Sequence, residues 1–597
     1  SNALSLNGGT IKDEAGHNAN IILPNPGELN SLGRNRNIVI DNVDPVLSYV
    51  TSSQSNGTYN IGDNIYLNVV FNENIYVVGS PKLEILVSNQ TVNDSSKTIS
   101  FYNRSGSIAR FRYQVLEGDT TSLLEYTSQS ALSLNNGNII DAAGNSASII
   151  LPIPGSLNSL SSNRNIIIDG IAPFVKTVSS SSINDIYKIN DNIDIEVEFS
   201  QPVIISGTPY IDLETGEYNA RAYYSSGANT RVLKFVYNVA SGHSSADLEY
   251  INSTNALYGT IRDPSYNYAS RILPLIGTDN SLSGTSSIII DGIIPNVVSV
   301  SSDSPDSTYK IGDSIDIKVS FSENILVTGI PSIVLETGLN DGLANYHKGS
   351  GSNDLIFEYI VRNGDQSIDL DYSSNSALLL NNGTIKDIAR NPANLELFSP
   401  DSTGSLAANK NIVIDGIAPQ VSEVSISSNN ENDQFKAGPG DVVTISVTFS
   451  EPIETPTGMI SGYPAIISGG YKIWNFSRAL TIEDIEGLVD FNIGFVDRAG
   501  NVGLEATEVT DSSSVLFDKT KPSLISTTSS NPDGTYIVGE VISIITIFDE
   551  IVTVQGNPKL LLETGPNDGY ANYTNGSGTN QIVFNYTIEE DDSSADL

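Results

Sequence analysis

Three acidic motifs recur along the chain, and each offers oxygen atoms. The first closes an alternating apolar run: Phe-Asn-Glu at Glu73, Phe-Ser-Glu at Glu323 and Glu451, Phe-Asp-Glu at Glu550, with Gln201 in the same place in one copy. The second is Asp-x-x-x-Asn, pairing Asp141 with Asn145, Asp263 with Asn267, Asp387 with Asn391 and Asp497 with Asn501. The third is the Asp that ends a short apolar run a few residues before a Pro: Asp41, Asp169, Asp291, Asp415 and Asp518. Carboxylate, amide and backbone carbonyl oxygens together make a hard, flexible cage, which suits Ca²⁺ better than Mg²⁺ or zinc. The competing reading is that Asp-Gly and Asp-x-x-Gly-Asn only make turns, because Asp and Asn bond their own backbone and Gly accepts positive φ. A further acidic set, Asp313 with Asp365 and Asp369, reads as turns or solvated surface.

For the three motifs to act together, the elements carrying them must bring three loops to one place. The third motif shows how. Asn163 to Pro173 reads N-R-N-I-I-I-D-G-I-A-P, and variants of it end at Pro45, Pro295, Pro419 and, more loosely, Pro522. A run of strand formers, an Asp, a turn pair and a Pro that cannot donate to a ladder describe a last strand passing into the next domain. Successive joint Asp residues lie 128, 122, 124 and 103 residues apart, so the chain is a series of similar units rather than one core. The units run from about 43 to 170, 171 to 292, 293 to 416 and a shorter, divergent 417 to 521. Residues 1–42 read as the C-terminal part of a repeat and 522–597 as the N-terminal part of one.

Within a unit, alternation is the dominant signal. Ile315, Ile317, Val319 and Phe321 are interleaved with Asp316, Lys318 and Ser320, a period of two that gives a strand one buried and one wet face. Ile65, Leu67, Val69 and Phe71 repeat it, as do Ile193, Ile195, Val197 and Phe199, and Val443, Ile445, Val447 and Phe449. A second strand shows as Leu355, Phe357, Tyr359 and Val361 and its counterparts. Short strands with Gly, Asn, Asp or Pro turns every ten or so residues describe an all-β, antiparallel sandwich in each unit. The L-P-x-P-G-x-L-N-S-L segment, Leu151 to Leu160, has no evident place in that scheme.

The order of these motifs, an apolar strand, F-S-E-P or F-S-E-N, then D-x-A-G-N, then a strand closing with D-G-x-x-P, resembles the bacterial immunoglobulin-like, cadherin-like tandem repeats of large surface adhesins. The resemblance implies a tandem array of immunoglobulin-like β-sandwiches forming an extended rod, often stiffened by calcium. On an immunoglobulin topology the three acidic loops share the pole facing the preceding domain. One set is then Asp41, Glu73 and Asp141 with Asn145; another Asp291, Glu323 and Asp387 with Asn391; a third Asp415, Glu451 and Asp497 with Asn501. The set of Asp169, Asp263 and Asn267 is expected to be weaker, since Gln201 replaces its Glu. Asp518 and Glu550 lack a third contributor.

Composition narrows the function. The chain has 597 residues and a net charge of −39, from 30 Lys+Arg against 69 Asp+Glu. A polyanion of this size repels nucleic acid and anionic membranes and attracts divalent cations. It contains no Cys, which excludes disulfides and thiolate metal sites and leans toward a bacterial surface array. No apolar run reaches a membrane span. His17, His243 and His347 occupy unrelated motif positions and read as surface residues, and no nucleophile, phosphate or zinc motif is present, so an enzyme is not expected.

The leading expectation is a structural stalk or fibre segment of a cell-surface or secreted adhesin, its partners being neighbouring repeats of the same or an identical chain. The alternatives are a glycan- or matrix-binding module, with Trp474 and Tyr471 in the divergent repeat stacking on sugar unless they complete its core, and a hydrolase accessory region. A third alternative, a filament subunit that donates strands head to tail, follows from the match of Ala3-Leu4 to Ala256-Leu257 and of Leu597 to Leu248.

Overall fold

The computed structural model describes residues 2–93 and 95–597. Strands account for 47% of the chain and helix for 3%, in keeping with a sequence whose apolar residues alternate and never recur at helical spacing. Two compact units are present, and each is described in turn.

The first unit comprises Ser1–Asn296, Ser322–Val327 and Thr384–Asn394. Its first repeat is organised on the strand Asn64–Phe71, antiparallel to Leu47–Ser52 on one side and Ile108–Gln114 on the other. Ile65, Leu67, Val69 and Phe71 point inward and are buried, as their period of two requires. The last strand, Ile166–Asp169, runs parallel to the short strand Gly57–Tyr59. The second repeat has the same plan with one long strand, Asn192–Glu214, that pairs with Val175–Ser180, Thr230–Asn238 and Ala220–Ser226. Its last strand Ile289–Asp291 again lies parallel to a short one, Ile186–Tyr187. Separate apolar cores run from Val50 to Ile168 and from Val175 to Ile290.

The second unit comprises Val297–Phe321, Thr328–Gly383 and Leu395–Leu597. Val297–Ser302 pairs with the stretch Ile317–Phe321, and Ser307–Lys310 lies parallel to Ile412–Asp415. The divergent repeat holds the four-stranded order Val421–Ser428, Val442–Phe449, Ile473–Ala479, Ile466–Gly470, around a core that includes Trp474 and Phe476. The last five strands, from Leu524–Ser529 to Thr579–Thr587, form one sheet with a small core of Ile544, Ala571, Ile582, Phe584 and Tyr586.

The L-P-x-P-G segment, which the alternation leaves unplaced, ends in a single helical turn: Leu160–Asn163, Leu282–Thr285 and Leu406–Asn409. Each is N-capped by a Ser, Ser159, Ser281 or Ser405, whose hydroxyl accepts a backbone N–H of the turn. Leu160, Leu282 and Leu406 are fully buried and plug the end of the core. A buried carboxylate holds the segment in place. Glu125 accepts from the Ser161 N–H and hydroxyl, Glu249 does the same for Ser283, and Asp371 accepts from the Asp401 N–H. The next residue is in each case a buried Tyr whose hydroxyl donates to a carbonyl of the same segment: Tyr126 to Pro152, Tyr250 to Pro274 and Tyr372 to Phe398. The corresponding turn at Leu32–Asn35 keeps its cap, Ser31, but Leu32 is 69% exposed.

Candidate metal centre

The Asp-x-x-x-Asn loops are built from one carboxylate. Asp141 Oδ1 accepts the N–H groups of Ala143, Gly144 and Asn145 at 2.7–2.9 Å, which curls the loop around it. Asp387 and Asp497 accept from Asn391 and Asn501 in the same way. The residue before the Asn sits at positive φ in all four copies, at 95° for Gly144, 72° for Tyr266, 77° for Arg390 and 94° for Gly500. Only glycine adopts that conformation freely, so Tyr266 and Arg390 hold it at a cost of about 1–2 kcal/mol, offset by the hydrogen bonds that the loop gains.

The Asn side chains present their amide nitrogens to this corner. Each donates its amide N–H groups to the loop carboxylate and to the linker backbone: Asn145 to Asp141 Oδ2 (2.7 Å) and the Asp41 carbonyl (3.1 Å), Asn391 to Asp387 Oδ2 (2.8 Å) and the Asp291 carbonyl (2.8 Å), Asn501 to Asp497 Oδ2 (2.7 Å) and the Asp415 carbonyl (2.8 Å). Asn267 donates likewise to Asp263 and the Asp169 carbonyl. The amide oxygen of three of them is committed elsewhere. Asn267 accepts the Ile61 N–H at 2.9 Å, Asn391 that of Ile189 at 3.0 Å and Asn501 that of Ile311 at 2.8 Å. These Ile residues lie in the turn before the alternating strand of the preceding repeat. One amide therefore ties its own loop, the linker and the neighbouring repeat, with both donors and its acceptor satisfied. Three of the four amide oxygens expected to face a cation, those of Asn267, Asn391 and Asn501, thus accept a backbone N–H of the preceding repeat.

The carboxylates do converge. Asp41, Glu73 and Asp141 each present an oxygen within 4.8 Å of the other two; so do Asp291, Glu323 and Asp387, and Asp415, Glu451 and Asp497. In each trio the linker, the end of the alternating strand and the Asp-x-x-x-Asn loop contribute one acid. Burial, and then the charges of Asp291 and Asp387, push the Glu323 carboxyl up to about 7. Glu73 and Glu451 are raised for the same two reasons, burial first and neighbouring carboxylates second. Asp291 and Asp415 are raised by burial. Burial would also raise Asp141, but the hydrogen bonds from Asn145 and its loop hold it below the usual carboxylate range. Glu323 Oε1 is buried with no hydrogen-bond partner. An unpaired buried acceptor is costly, and all-oxygen trios of this kind fit a hard divalent cation such as Ca²⁺.

The second repeat solves the same problem without a third acid. Gln201 Nε2 donates to the Ile171 carbonyl at 2.7 Å and to Asp263 Oδ2 at 3.1 Å, and the Ser265 hydroxyl donates to Asp169 at 2.6 Å. Protein hydrogens face Asp169 and Asp263 there, and among the described residues no ligating trio forms. Asp518 and Glu550 likewise fall in no trio. Glu550 Oε1 is buried and unpartnered, and its carboxyl is raised by burial, Asp518, Asp549 and Glu486.

The remaining candidates resolve into structure. Asp313 accepts the Lys310 N–H in a turn, and buried Asp365 accepts from the Arg362 N–H and the Tyr359 hydroxyl. With Asp369 they form no metal-holding group among the described residues. His17 and His347 are exposed. His243 is not a surface residue: it is half-buried, its Nδ1 lies 2.8 Å from the Tyr237 hydroxyl, and burial pulls its pKa down. Trp474 is 9% exposed and belongs to the core, whereas Tyr471 is 64% exposed. The residues that sequence reasoning missed are Glu125, Glu249 and Asp371. Their signal was a thrice-repeated Leu-Glu-Tyr or Leu-Asp-Tyr in which the acid is flanked by two core residues.

No family model matches the chain, and no curated protein does. Solved structures with partial likeness include the full extracellular region of Plexin A4, at 8% identity over 90% of this chain and 46% of that one, TM-score 0.15. A Bacteroides ovatus mixed-linkage glucan utilization protein, SGBP-B, bound to a mixed-linkage heptasaccharide, aligns at 11% identity over 70% and 93% of the two chains, TM-score 0.12. Trypsin-activated alpha-2-macroglobulin from Escherichia coli aligns at 8% identity over 91% and 46%, TM-score 0.13. The match thus spans about half the length of the Plexin A4 extracellular region. Likeness at this level carries no inference about fold or function. Among the described residues, no helix is long and apolar enough to cross a membrane.

Proposed function

We propose that this chain is a structural stalk or fibre segment of a bacterial cell-surface or secreted adhesin, a series of immunoglobulin-like sandwiches whose joints are set by calcium. The observation that carries the reading is the threefold recurrence of a linker Asp, a strand-end Glu and a loop Asp with mutually facing oxygens. The parallel pairing of a short early strand with the last strand in successive repeats supports a common sandwich plan. Calcium, when bound, supplies the positive charge that lets three carboxylates sit together. Asp41, Asp291 and Asp415 would hold it from the linkers, Glu73, Glu323 and Glu451 from the strand ends, and Asp141, Asp387 and Asp497 from the loops.

The rest of the joint belongs to the protein. The Asn clamp fixes the linker carbonyl against the loop and reaches the preceding repeat, so a change at the acids is felt where two repeats meet. Without a cation the acids repel, and their loops are free to part. Of the two aromatic residues behind the glycan-binding reading, Trp474 is spent on the core and Tyr471 is exposed. The test is calorimetric titration of the full chain with Ca²⁺ together with small-angle scattering, first in calcium and then in chelator. Heat of binding and a calcium-dependent maximum dimension are expected. No binding, with identical scattering in both solutions, refutes the calcium-set stalk.

A further inference from the structure

One corner of the first repeat carries groups that the other repeats lack. Elsewhere a Tyr hydroxyl donates to an Asp six residues on, Tyr359 to Asp365 and Tyr586 to Asp592, and the same Asp oxygen accepts a backbone N–H from Arg362 or Glu589. The first repeat keeps this pair as Tyr113 and Asp119: Oδ2 accepts from the Tyr113 hydroxyl at 2.7 Å and the Leu116 N–H at 2.9 Å. One oxygen thus does the structural work. The other, Oδ1, is met by the Lys97 ammonium and by the Asn89 amide nitrogen at 2.5 Å. Asp119 is fully buried, Asn89 is 4% exposed, and the Lys97 side chain is 18% exposed.

Neither added residue is needed for the fold. Lys97 pairs across the hairpin with Ile85, where the other repeats pair Ala220 with Leu213, Gly342 with Leu335 and Gly569 with Leu562. Those repeats keep the position small: a Cβ on Gly342 or Gly569 would meet the ring of Tyr359 or Tyr586. Asn89 ends a strand, Lys82–Asn89, that outlasts its counterpart Ser332–Leu335, and sits opposite Asp119.

The arrangement has the parts of an acyl transfer. Asn89 Oδ1 accepts the N–H groups of Thr91 at 3.0 Å and Val92 at 3.1 Å and the Thr91 hydroxyl at 2.5 Å. Three donors on one carbonyl oxygen polarise its carbon and stand where negative charge develops when a nucleophile adds. Asn89 Nδ2 also donates to the Glu117 carbonyl at 3.0 Å, which fixes the side chain. Asp119 lies between amine and amide, in place to move protons from one to the other. Burial would raise its carboxyl, but the hydrogen bonds from Lys97, Tyr113, Asn89 and Leu116 hold it below the ordinary value, so it is ionised and able to accept.

We propose that Lys97 and Asn89 join in an intramolecular amide bond. Asp119 takes a proton from the Lys97 ammonium, and the neutral Nζ attacks Asn89 Cγ. The Cγ–Nδ2 bond then breaks, and the leaving nitrogen departs as ammonia with a second Nζ proton relayed by Asp119. The products are one secondary amide, one ammonia and protonated Asp119, with no change in oxidation state. The bond staples the strand Lys82–Asn89 to the strand Lys97–Ser105 and does not depend on the calcium reading.

Intact mass spectrometry of the denatured full chain tests this. The expected mass is short of the sequence mass by one ammonia, and a digest should yield the Asn89 and Lys97 peptides joined. Lys97→Arg keeps a cation on Asp119 but cannot form the bond; it should fold, by circular dichroism, and show the full sequence mass, as should Asn89→Ala. A folded wild-type chain at full sequence mass overturns the proposal. A deficit of one water, with Lys97 joined to Asp119, overturns the role of Asn89, and an ammonia deficit mapped to any other residue overturns the site.

Discussion

The joint at Asp291, Glu323 and Asp387 permits a quantitative test, because the second repeat already carries the substitution in nature as Gln201. Consider Glu323→Gln in calcium-free protein. Glu323 is raised from 4.5 to about 7 in the fold. A group whose folded pKa is raised binds more protons folded than unfolded, so stability falls as pH rises between the two values and the whole penalty is present above the upper one. A shift of that size corresponds to about 3 kcal/mol at full weight, and partial exposure of the Glu lowers the estimate to about 2 kcal/mol. The Gln removes that penalty and, by analogy with Gln201, offers an amide hydrogen to Asp387. In chelator at pH 8, local opening of the joint should therefore be suppressed about 30-fold in the variant, the factor that 2 kcal/mol represents. Hydrogen exchange of peptides covering 184–191 and 384–394 reads this directly, since the Ile189 N–H is held by Asn391. The advantage should shrink as pH falls from 7 toward 4.5, since the wild-type Glu is protonated in both states only below the lower value. Calcium should restore protection to the wild type and do nothing for the variant. Equal exchange of the two proteins in chelator at pH 8 would refute the argument that carboxylate repulsion governs the joint.

The reciprocal change, Gln201→Glu, should make the Asp169 and Asp263 joint loosen in chelator and tighten in calcium, read by exchange of peptides covering 58–62 and 260–268. Asn501→Asp replaces two donations and adds a fourth acid to a trio, so a loss of about 2–4 kcal/mol in the divergent repeat's unfolding in chelator is expected, with Asn501→Ala less severe. Leu282→Ala empties the plug under the helical turn of the second repeat and should cost about 2–5 kcal/mol, seen in urea unfolding followed by exchange. Trp474→Ala should cost about 3–5 kcal/mol in the divergent repeat, and a polysaccharide array should show no binding that depends on that residue.

How much of this was legible in the residues depends on range. The alternating strands were readable because a period of two is local: Ile315, Ile317, Val319 and Phe321 declare a buried face without reference to any other segment. The acids of each trio could be gathered only through a topology, yet their recurrence in fixed order before and after the same strands sufficed to group Asp41 with Glu73 and Asp141. The direction of an amide could not be read. Asn391 as a ligand and Asn391 as a clamp are the same letters, and what separates them is the Ile189 N–H, 202 residues away. The helical turn at Leu160–Asn163 escaped for a related reason. Four residues are too few for a 3.6 period to show, and its anchor, Glu125, is one of 69 acids, set apart only by the recurring Leu and Tyr on either side of it.

These two cases bear on why the joints differ from the cores. A core tolerates exchange among apolar residues of similar volume, so its pattern survives in the sequence as a period. A joint has few groups, each with a fixed number of donors and acceptors, and one atom changes its chemistry. Glu323 and Gln201 differ by an oxygen against a nitrogen, and the first leaves a buried acceptor without a partner while the second closes two hydrogen bonds. On the proposed calcium reading, repeats of one plan carry joints of two kinds: three acid trios whose closure waits on a cation, and the Gln201 joint, closed by its own side chains. If so, chelation should loosen the joints selectively, leaving the Asn267 clamp on Ile61 as protected as in calcium while those on Ile189 and Ile311 open.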